Sequence, residues 1–570
     1  MLLAAPAAAA TLTVAADGSG DYTSVNFAVT AAIAGDTILI KCGSYTEYSS
    51  FITIDKTDIT IRGESPDKVV LNTGGCGIRI EASNAVIENL TFTGSLIPIV
   101  INSTNCVIQN NIINNPQQGI VIQSNSNYIL NNLIIAPTTT TGGFYVASTS
   151  NFNVIRNNVI IGATGKYSAR IDGSSNLIEN NTIRDSTYTT VSKGAALYLL
   201  STSNNTIKNN YLLNNPTPGI RLTTVGNDNK IYLNTFYANG QTAAATTPPA
   251  SLFWDSPSAV DFTYNGTSQL AILGNYWGSD YSGPDADNNG IGDTTYTVPS
   301  NLGSDTAPLM GIWQDGVIHG GPDTIKPAAG FMADSFSGQA PLAVTFTSYL
   351  VGPGTVTSYA WDFGDGTTST DKNPSHTYTT GGTYTVNLIV TGPGGSDSVV
   401  KTGFITVTSA GADLTVASCT PFFLAHNTQN SVSTSITNSG VTGAGAFKVR
   451  FNVDGNSTDV DVASLGAGNS TTVSVGDAVD RRVNDIVPIT ITMDPESAVA
   501  ESSETNNVLT TNATVIANGY AGHRWEDKQD LVTNRTFLLH GDTVYSFGDS
   551  SYGSKSVTWT ASDLPIPEGS

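Results

Sequence analysis

Between Gly77 and Phe236 a short phrase recurs, and it constrains the fold more than any other part of the chain. It consists of an aliphatic pair, one variable residue, one or two asparagines and another apolar residue. It reads VIENL at Val86–Leu90, VIQNN at Val107–Asn111, YILNN at Tyr128–Asn132, VIRNN at Val154–Asn158, LIENN at Leu177–Asn181 and TIKNN at Thr206–Asn210, with a weaker copy, KIYLN, at Lys230–Asn234. The leading asparagines, Asn89, Asn110, Asn131, Asn157, Asn180 and Asn209, follow at steps of 21, 21, 26, 23 and 29 residues. Steps of that size are the coil length of a stacked solenoid.

A second phrase keeps the same step: GIRI at Gly77–Ile80, PIVI at Pro98–Ile101, GIVI at Gly119–Ile122, GFYV at Gly143–Val146, SARI at Ser168–Ile171, ALYL at Ala196–Leu199 and GIRL at Gly219–Leu222. Its apolar residues lie two apart, the spacing of a strand with one face inward. Each coil therefore carries at least two short strands. The Asn pairs suit the turns between them, because Asn tolerates the left-handed region and its amide bonds nearby backbone. Stacked coil on coil, equivalent Asn side chains can also form a hydrogen-bonded ladder inside. The expected fold is a right-handed parallel β-helix.

At 570 residues the chain is too long for one core, so several domains are expected. Its net charge of −22, with only 12% charged residues, repels nucleic acid and anionic membrane surfaces. Cys42, Cys76, Cys106 and Cys419 show neither metal-ligand spacing nor a disulfide framework and read as small apolar fillers. The first ten residues, MLLAAPAAAA, read as the remnant of a secretion signal, and no later stretch is apolar enough to span a membrane. Abundant Gly, Thr, Ser and Asn with very little Lys suit an extracellular all-β architecture, and a secreted or cell-surface location is expected.

Val25, Val29, Ala32 and Ile33 give one helical apolar face, expected to cap the first coil, which begins at Asp36. This opening resembles the capping segment of pectin methylesterases and pectate lyases, which carries no catalytic content. Gln241–Pro257 is rich in Ala, Thr and Pro and is expected to be a loop, and Tyr276 and Trp277 are expected to plug the last coil. The stretch Leu273–Met310, LGNYWGSDYSGPDADNNGIGDTTYTVPSNLGSDTAPLM, resembles the C-terminal signature of NosD-like β-helix proteins, common on archaeal cell surfaces of the methanogen type, and the repeats before it match that family as well. Farther on, Trp361-Asp362-Phe363-Gly364-Asp365-Gly366 and Asn373-Pro374-Ser375-His376-Thr377-Tyr378 resemble the two hallmarks of a polycystic-kidney-disease (PKD) domain. ADLTV from Ala412, ITNSG at Ile436–Gly440, and Glu501, Glu504, Asn506 and Asn507 resemble a cell-adhesion-related (CARDB) domain. The expected organisation is all-β: signal remnant 1–10, parallel β-helix 11–315, linker 316–327, two immunoglobulin-like β-sandwiches at 328–408 and 411–516, and the start of a further β domain at 518–570.

Enzyme chemistry is the first function to test on a β-helix. None of the five histidines lies in the solenoid, which removes the His that a polygalacturonase-like site needs. A lyase would need carboxylates and an Arg or Lys base, and the nearest set is Arg170, Asp172, Arg184, Asp185 and Lys193. Arg170 and Arg184 alternate with inward residues and are expected to face solvent on neighbouring coils. The alternative for this set is a solvated charge cluster of little energetic weight. Copper, suggested by the NosD resemblance, is not expected, because soft copper sites want clustered His, Cys or Met. The best ion-site pattern is Asp285, Asp287, Asn289, the Ile291 carbonyl and Asp293, with Gly290 at the turn and Tyr296 where a calcium loop has its bidentate Glu. Calcium is the cation such a loop would take; the alternative is an Asx-rich turn held by its own side chains.

The expected function is non-enzymatic: a secreted or cell-surface protein in adhesion, in contact with a surface or matrix polysaccharide or protein, or in envelope scaffolding. The alternatives are a polysaccharide lyase or hydrolase acting near Arg170–Lys193, and a calcium-stabilised S-layer or matrix component.

Overall fold

The computed structural model describes residues 9–516 apart from 48–49, 140, 225, 246–250, 409–410, 422 and 427–428, and the antiparallel strands Phe537–His540 and Thr543–Ser546. Residues 1–8 of the expected signal remnant and most of 518–570 lie outside the described residues. No helix among the described residues is long and apolar enough to cross a membrane.

Three parallel sheets of 11, 9 and 9 strands run along the solenoid, so each full coil contributes three strands. The phrase VIxNN supplies the first sheet. Its middle aliphatic residue points inward and stacks in register through Ile61, Ile87, Ile108, Ile129, Ile155, Ile178, Ile207 and Ile231, all fully buried. Identical residues stacked at one register position fill the core evenly, which suits β-branched Ile.

The two asparagines of each pair do different work. Asn89, Asn110, Asn131, Asn157, Asn180 and Asn209 all take φ between 56° and 59°, turning the chain outward in the left-handed region. The following residues Asn111, Asn132, Asn158, Asn181, Asn210 and Asn234 point inward. From Asn111 to Asn275, each Nδ2 donates to Oδ1 of the next at 2.9–3.1 Å. A second ladder, without a counterpart in the sequence analysis, uses the Asn just before each phrase: Asn127, Asn153, Asn176, Asn205 and Asn229, joined by backbone N–H to Oδ1 bonds of 2.8–3.1 Å. Cys106 stands at its head, its N–H donating to Asn127 Oδ1 at 2.9 Å. Buried amides are tolerated here because successive rungs satisfy one another.

Helix Val25–Ala31 covers the first coil, with Ser24 as N-cap and Val25, Ala28, Val29 and Ala32 buried; Ile33, expected on this face, is exposed because the helix ends before it. At the far end Trp277 stacks on Phe236 with ring centroids 4.8 Å apart, and Trp254 packs beside it at 5.3 Å. Trp277 is thus the plug, whereas Tyr276 is half-buried in a neighbouring apolar cluster. The segment expected as a loop from Gln241 instead adds Gln241–Ala245 and Leu252–Phe253 to two of the sheets, because Ala243 and Ala244 continue the inward and outward files. The hairpin Trp313–Gln314 and Val317–Ile318 reaches past the expected linker boundary at 316. Of the four cysteines, Cys106 and Cys419 are buried as expected, but Cys42 is exposed and Cys76 half-buried.

The chain divides into two compact units. The first holds the solenoid and most of the first sandwich; the second holds the second sandwich. The first sandwich pairs a three-stranded and a five-stranded sheet around Phe331, Phe346, Trp361 and Phe363. Asp362 and Asp365 form turns there, accepting from the Gly364 and Thr367 N–H groups. The second sandwich repeats the three-plus-five arrangement around Leu414, Val432, Phe451 and Ile489. Glu501 ties its ends together, accepting from the Leu414 N–H at 2.6 Å and from Asn507 Nδ2 at 3.0 Å.

Candidate functional site

The outward side chains of the solenoid stack in register as the inward ones do. On the first sheet the file runs Arg62, Glu88, Gln109, Leu130, Arg156, Glu179, Lys208 and Tyr232. Glu179 is bridged on both sides, by Arg156 at 2.8 Å and Lys208 at 2.9 Å. Burial works to raise its pKa, but the two cations outweigh that and hold it lowered. This carboxylate stays ionised and neutralised rather than poised to accept a proton.

On the sheet built from the second phrase the outward file is Arg79, Val100, Val121, Tyr145, Arg170, Tyr198 and Arg221. Arg170 and Asp172, two of the sequence-derived candidates, meet in a two-pronged ion pair: Nε donates to Oδ1 at 2.8 Å and Nη2 to Oδ2 at 2.6 Å. Tyr145 donates its hydroxyl to Asp172 Oδ2 at 3.3 Å, and the guanidinium lies 5.4 Å and 5.8 Å from the rings of Tyr145 and Tyr198. Hydrogen bonding to Asp172 raises the Arg170 pKa, moving the group away from any role as a base. Tyr198 stacks on Tyr167 at 4.0 Å, and Arg221 donates to the carbonyls of Gly194 and Val191, tying the 185–194 loop across this face.

Arg184 and Asp185 are not part of this cluster. They lie at the end of a strand of the third sheet, whereas Arg170 is on the second, and the expectation that Arg184 faces solvent does not hold. Arg184 is only 8% exposed: Nε pairs with Asp185 at 2.8 Å and Nη1 donates to the Gly352 carbonyl at 2.9 Å, within the same compact unit. Lys193 is exposed on the 185–194 loop. The five residues are thus not assembled into one site. Tyr145 and Tyr198, which do flank Arg170, were visible as the third letters of GFYV and ALYL. The repeat placed them; only the register made them neighbours of Arg170.

The Asp285–Asp293 loop closes on itself. Asp285 accepts from the N–H groups of Asn289 at 2.9 Å and Gly290 at 3.0 Å, Asp287 accepts from Asn289 Nδ2 at 2.8 Å, Asn289 Oδ1 accepts from the Ile291 N–H at 2.7 Å, and Asp293 accepts from the Ala286 N–H at 2.6 Å. The oxygens lie in one turn but are directed at different N–H groups. Among the described residues no group of three His, Cys, Asp or Glu side chains is arranged to hold a metal ion. Of the solenoid cysteines Cys42, Cys76 and Cys106, Cys76 lies within a strand and the other two between strands, and they differ in exposure.

Comparison with known proteins follows the same order along the chain. Residues 29–283 match the family described as periplasmic copper-binding protein (NosD), residues 326–407 the PKD domain and residues 411–511 CARDB. Collagenase ColA of Bacillus cereus is 55% identical over 49 residues, 9% of this chain and 5% of that protein. The chain thus spans about a twentieth of the length of that relative. Among solved structures, the CARDB domain of a Pyrococcus furiosus protein, in complex with di-metal ions, is 26% identical, covering 19% of this chain and 96% of that one with a TM-score of 0.18. A PL6 family polysaccharide lyase from Pseudopedobacter saltans is 16% identical, covering 47% of this chain and 73% of that one with a TM-score of 0.29.

Proposed function

For a chain that carries a NosD-type β-helix, a PKD domain and a CARDB domain in that order, we propose a non-enzymatic role at the cell surface. The solenoid is a contact platform for a surface or matrix glycan, and the two sandwiches are spacer and protein-contacting modules. One observation carries this reading. Arg170 is pinned by Asp172, Glu179 is held between Arg156 and Lys208, and Arg184 is paired with Asp185. The ionisable groups of these clusters are neutralised in place, while the sheets present long files of aromatic, amide and charged side chains. Such a surface supports extended contact.

The test is incubation of the purified chain with a panel of acidic and neutral polysaccharides, following both release of unsaturated or reducing ends and co-sedimentation with insoluble polymer. Co-sedimentation without product release is the expected result. Product release that disappears in Arg170→Ala or Asp172→Ala would replace this reading by that of a polysaccharide lyase or hydrolase.

A further inference from the structure

Two strands of the third sheet, Leu133-Ile134-Ile135 and Val159-Ile160-Ile161, are apolar at every position. A continuous apolar run is the mark of a strand buried on both faces. The middle residues point into the solenoid. The first residues point out, in a file that runs Thr91, Ile112, Leu133, Val159 and Thr182 through the register. Ile112, Leu133 and Val159 are nevertheless only 6–8% exposed, and they form a cluster apart from the solenoid core. The matching outward file of the first sheet, Val86, Val107, Tyr128 and Val154, is half-buried or exposed. The difference is a cover: Tyr349, from the strand Leu342–Leu350 of the first sandwich, packs against the Ile112, Leu133 and Val159 cluster. Burial, and then the Asp67 carboxylate of the solenoid, push the Tyr349 pKa up.

The polar contacts around this seat share a pattern. Thr182 Oγ1 donates to the Val351 carbonyl at 2.7 Å, Arg184 Nη1 to the Gly352 carbonyl at 2.9 Å, and Lys68 Nζ to the Gly403 carbonyl. In each, a solenoid side chain donates to a sandwich backbone carbonyl, a group that every residue carries. The side-chain signature of docking therefore lies on the solenoid. One contact runs the other way. Lys401 of the sandwich pairs with Asp67 of the solenoid, and its ammonium lies 5.0 Å and 4.9 Å from the rings of Phe331 and Phe404. The Lys401 side chain is only 16% exposed, and a charge so far out of water needs its counter-ion in place. All of these groups belong to one compact unit.

We infer that the outer face of the third sheet is a seat for the chain's own first sandwich, and that Lys68, Thr182, Arg184 and the Asp67–Lys401 pair are its docking residues. Residues 316–327 are then no hinge, and solenoid and sandwich move as one piece. Occupancy of this face does not depend on the glycan reading, which leaves it unassigned. The full chain is tested by hydroxyl-radical footprinting read by mass spectrometry, and by carbodiimide cross-linking of mixed light and heavy-isotope-labelled chains. The carbodiimide activates the Asp67 carboxylate, which the Lys401 amine attacks to form an amide, releasing the urea. Leu133 should be labelled at least about tenfold more slowly than Leu96, which is 46% exposed, and Ile112 likewise against Ile33, which is 41% exposed. The Asp67–Lys401 product should form within single chains. In a Lys68→Gln, Arg184→Gln double variant, Leu133 labelling should rise at least about threefold and the cross-link yield should fall, while Trp361 in the sandwich core stays protected. Leu133 labelled as fast as Leu96, no Asp67–Lys401 product, a product joining light to heavy chains, or a folded double variant that behaves like the parent would each overturn the inference. If Trp361 loses protection, the variant has unfolded and the parent's labelling and cross-link decide.

Discussion

Asn275 hands the asparagine ladder of the solenoid to Asp305. Its backbone N–H donates to Asp305 Oδ2 at 2.7 Å, and its own Oδ1 accepts the last rung from Asn234 Nδ2 at 3.0 Å. The indole N–H of Trp277, the aromatic plug, donates to the same carboxylate oxygen at 2.7 Å. A ladder of neutral amides thus ends on a fully buried carboxylate at the point where the core is closed.

Asp305 makes the stability of this end pH-dependent. Burial and the adjacent Asp255 raise its pKa from the ordinary 3.8 to about 8, against the N–H groups that favour its ionised form. Between those two values the folded chain holds a proton that the unfolded chain has released. Stability is therefore full below about pH 4 and falls as pH rises toward about 8, by up to ~1.4 kcal/mol per pH unit. Thermal unfolding of Asp305→Asn across this range should show a flatter profile than the parent. An equal slope in the two proteins would refute the assignment.

The two asparagines of one phrase should respond unequally, one to loss of its amide and the other to loss of its left-handed backbone. Asn158→Ala removes the acceptor of the Asn132 N–H and Nδ2 groups and the donor to the Ile129 carbonyl, all buried, and should cost about 2–4 kcal/mol in urea unfolding. Asn157→Gly keeps the φ of 58° and should change stability by less than about 1 kcal/mol, whereas Asn157→Val should cost about 1–2 kcal/mol.

Chelation tests the Asp285–Asp293 turn. Its carboxylates already accept from loop N–H groups, so EDTA should leave the melting temperature unchanged, and Asp285→Ala should cost about 1–2 kcal/mol with or without calcium. A chelator-dependent fall of several degrees, restored by calcium, would show that the turn exchanges these bonds for a cation.

In the second sandwich, Glu501→Ala leaves the Leu414 N–H and Asn507 Nδ2 without their shared acceptor and should lower the stability of that unit by about 2–3 kcal/mol. Glu501→Gln keeps one carbonyl acceptor and should lose about half as much. Similar losses in the two variants, read by denaturant unfolding of the full chain, would show that charge rather than acceptor geometry holds the junction.

The solenoid was legible in the chain because its signal is local and repeated. Coil after coil states the same inward Ile and, from Asn89 to Asn209, the same left-handed Asn at steps of 21 to 29 residues, so stacking is the one way to bury the Ile file. Trp277 as plug and the Trp361–Phe363 side of the first sandwich were legible for a similar reason, being large apolar residues fixed beside turns. The candidate site was not. Arg170 and Arg184 look equivalent in the alternation of strands, but coils of unequal length and three sheets per coil place them on different sheets, and only packing against Gly352 buries Arg184. The second asparagine ladder and the Asp305 terminus depend on residues 23 to 30 positions apart meeting in space. Periodicity fixes what each coil must bury; which outward side chains meet is decided by register and by the elements that close over the coils.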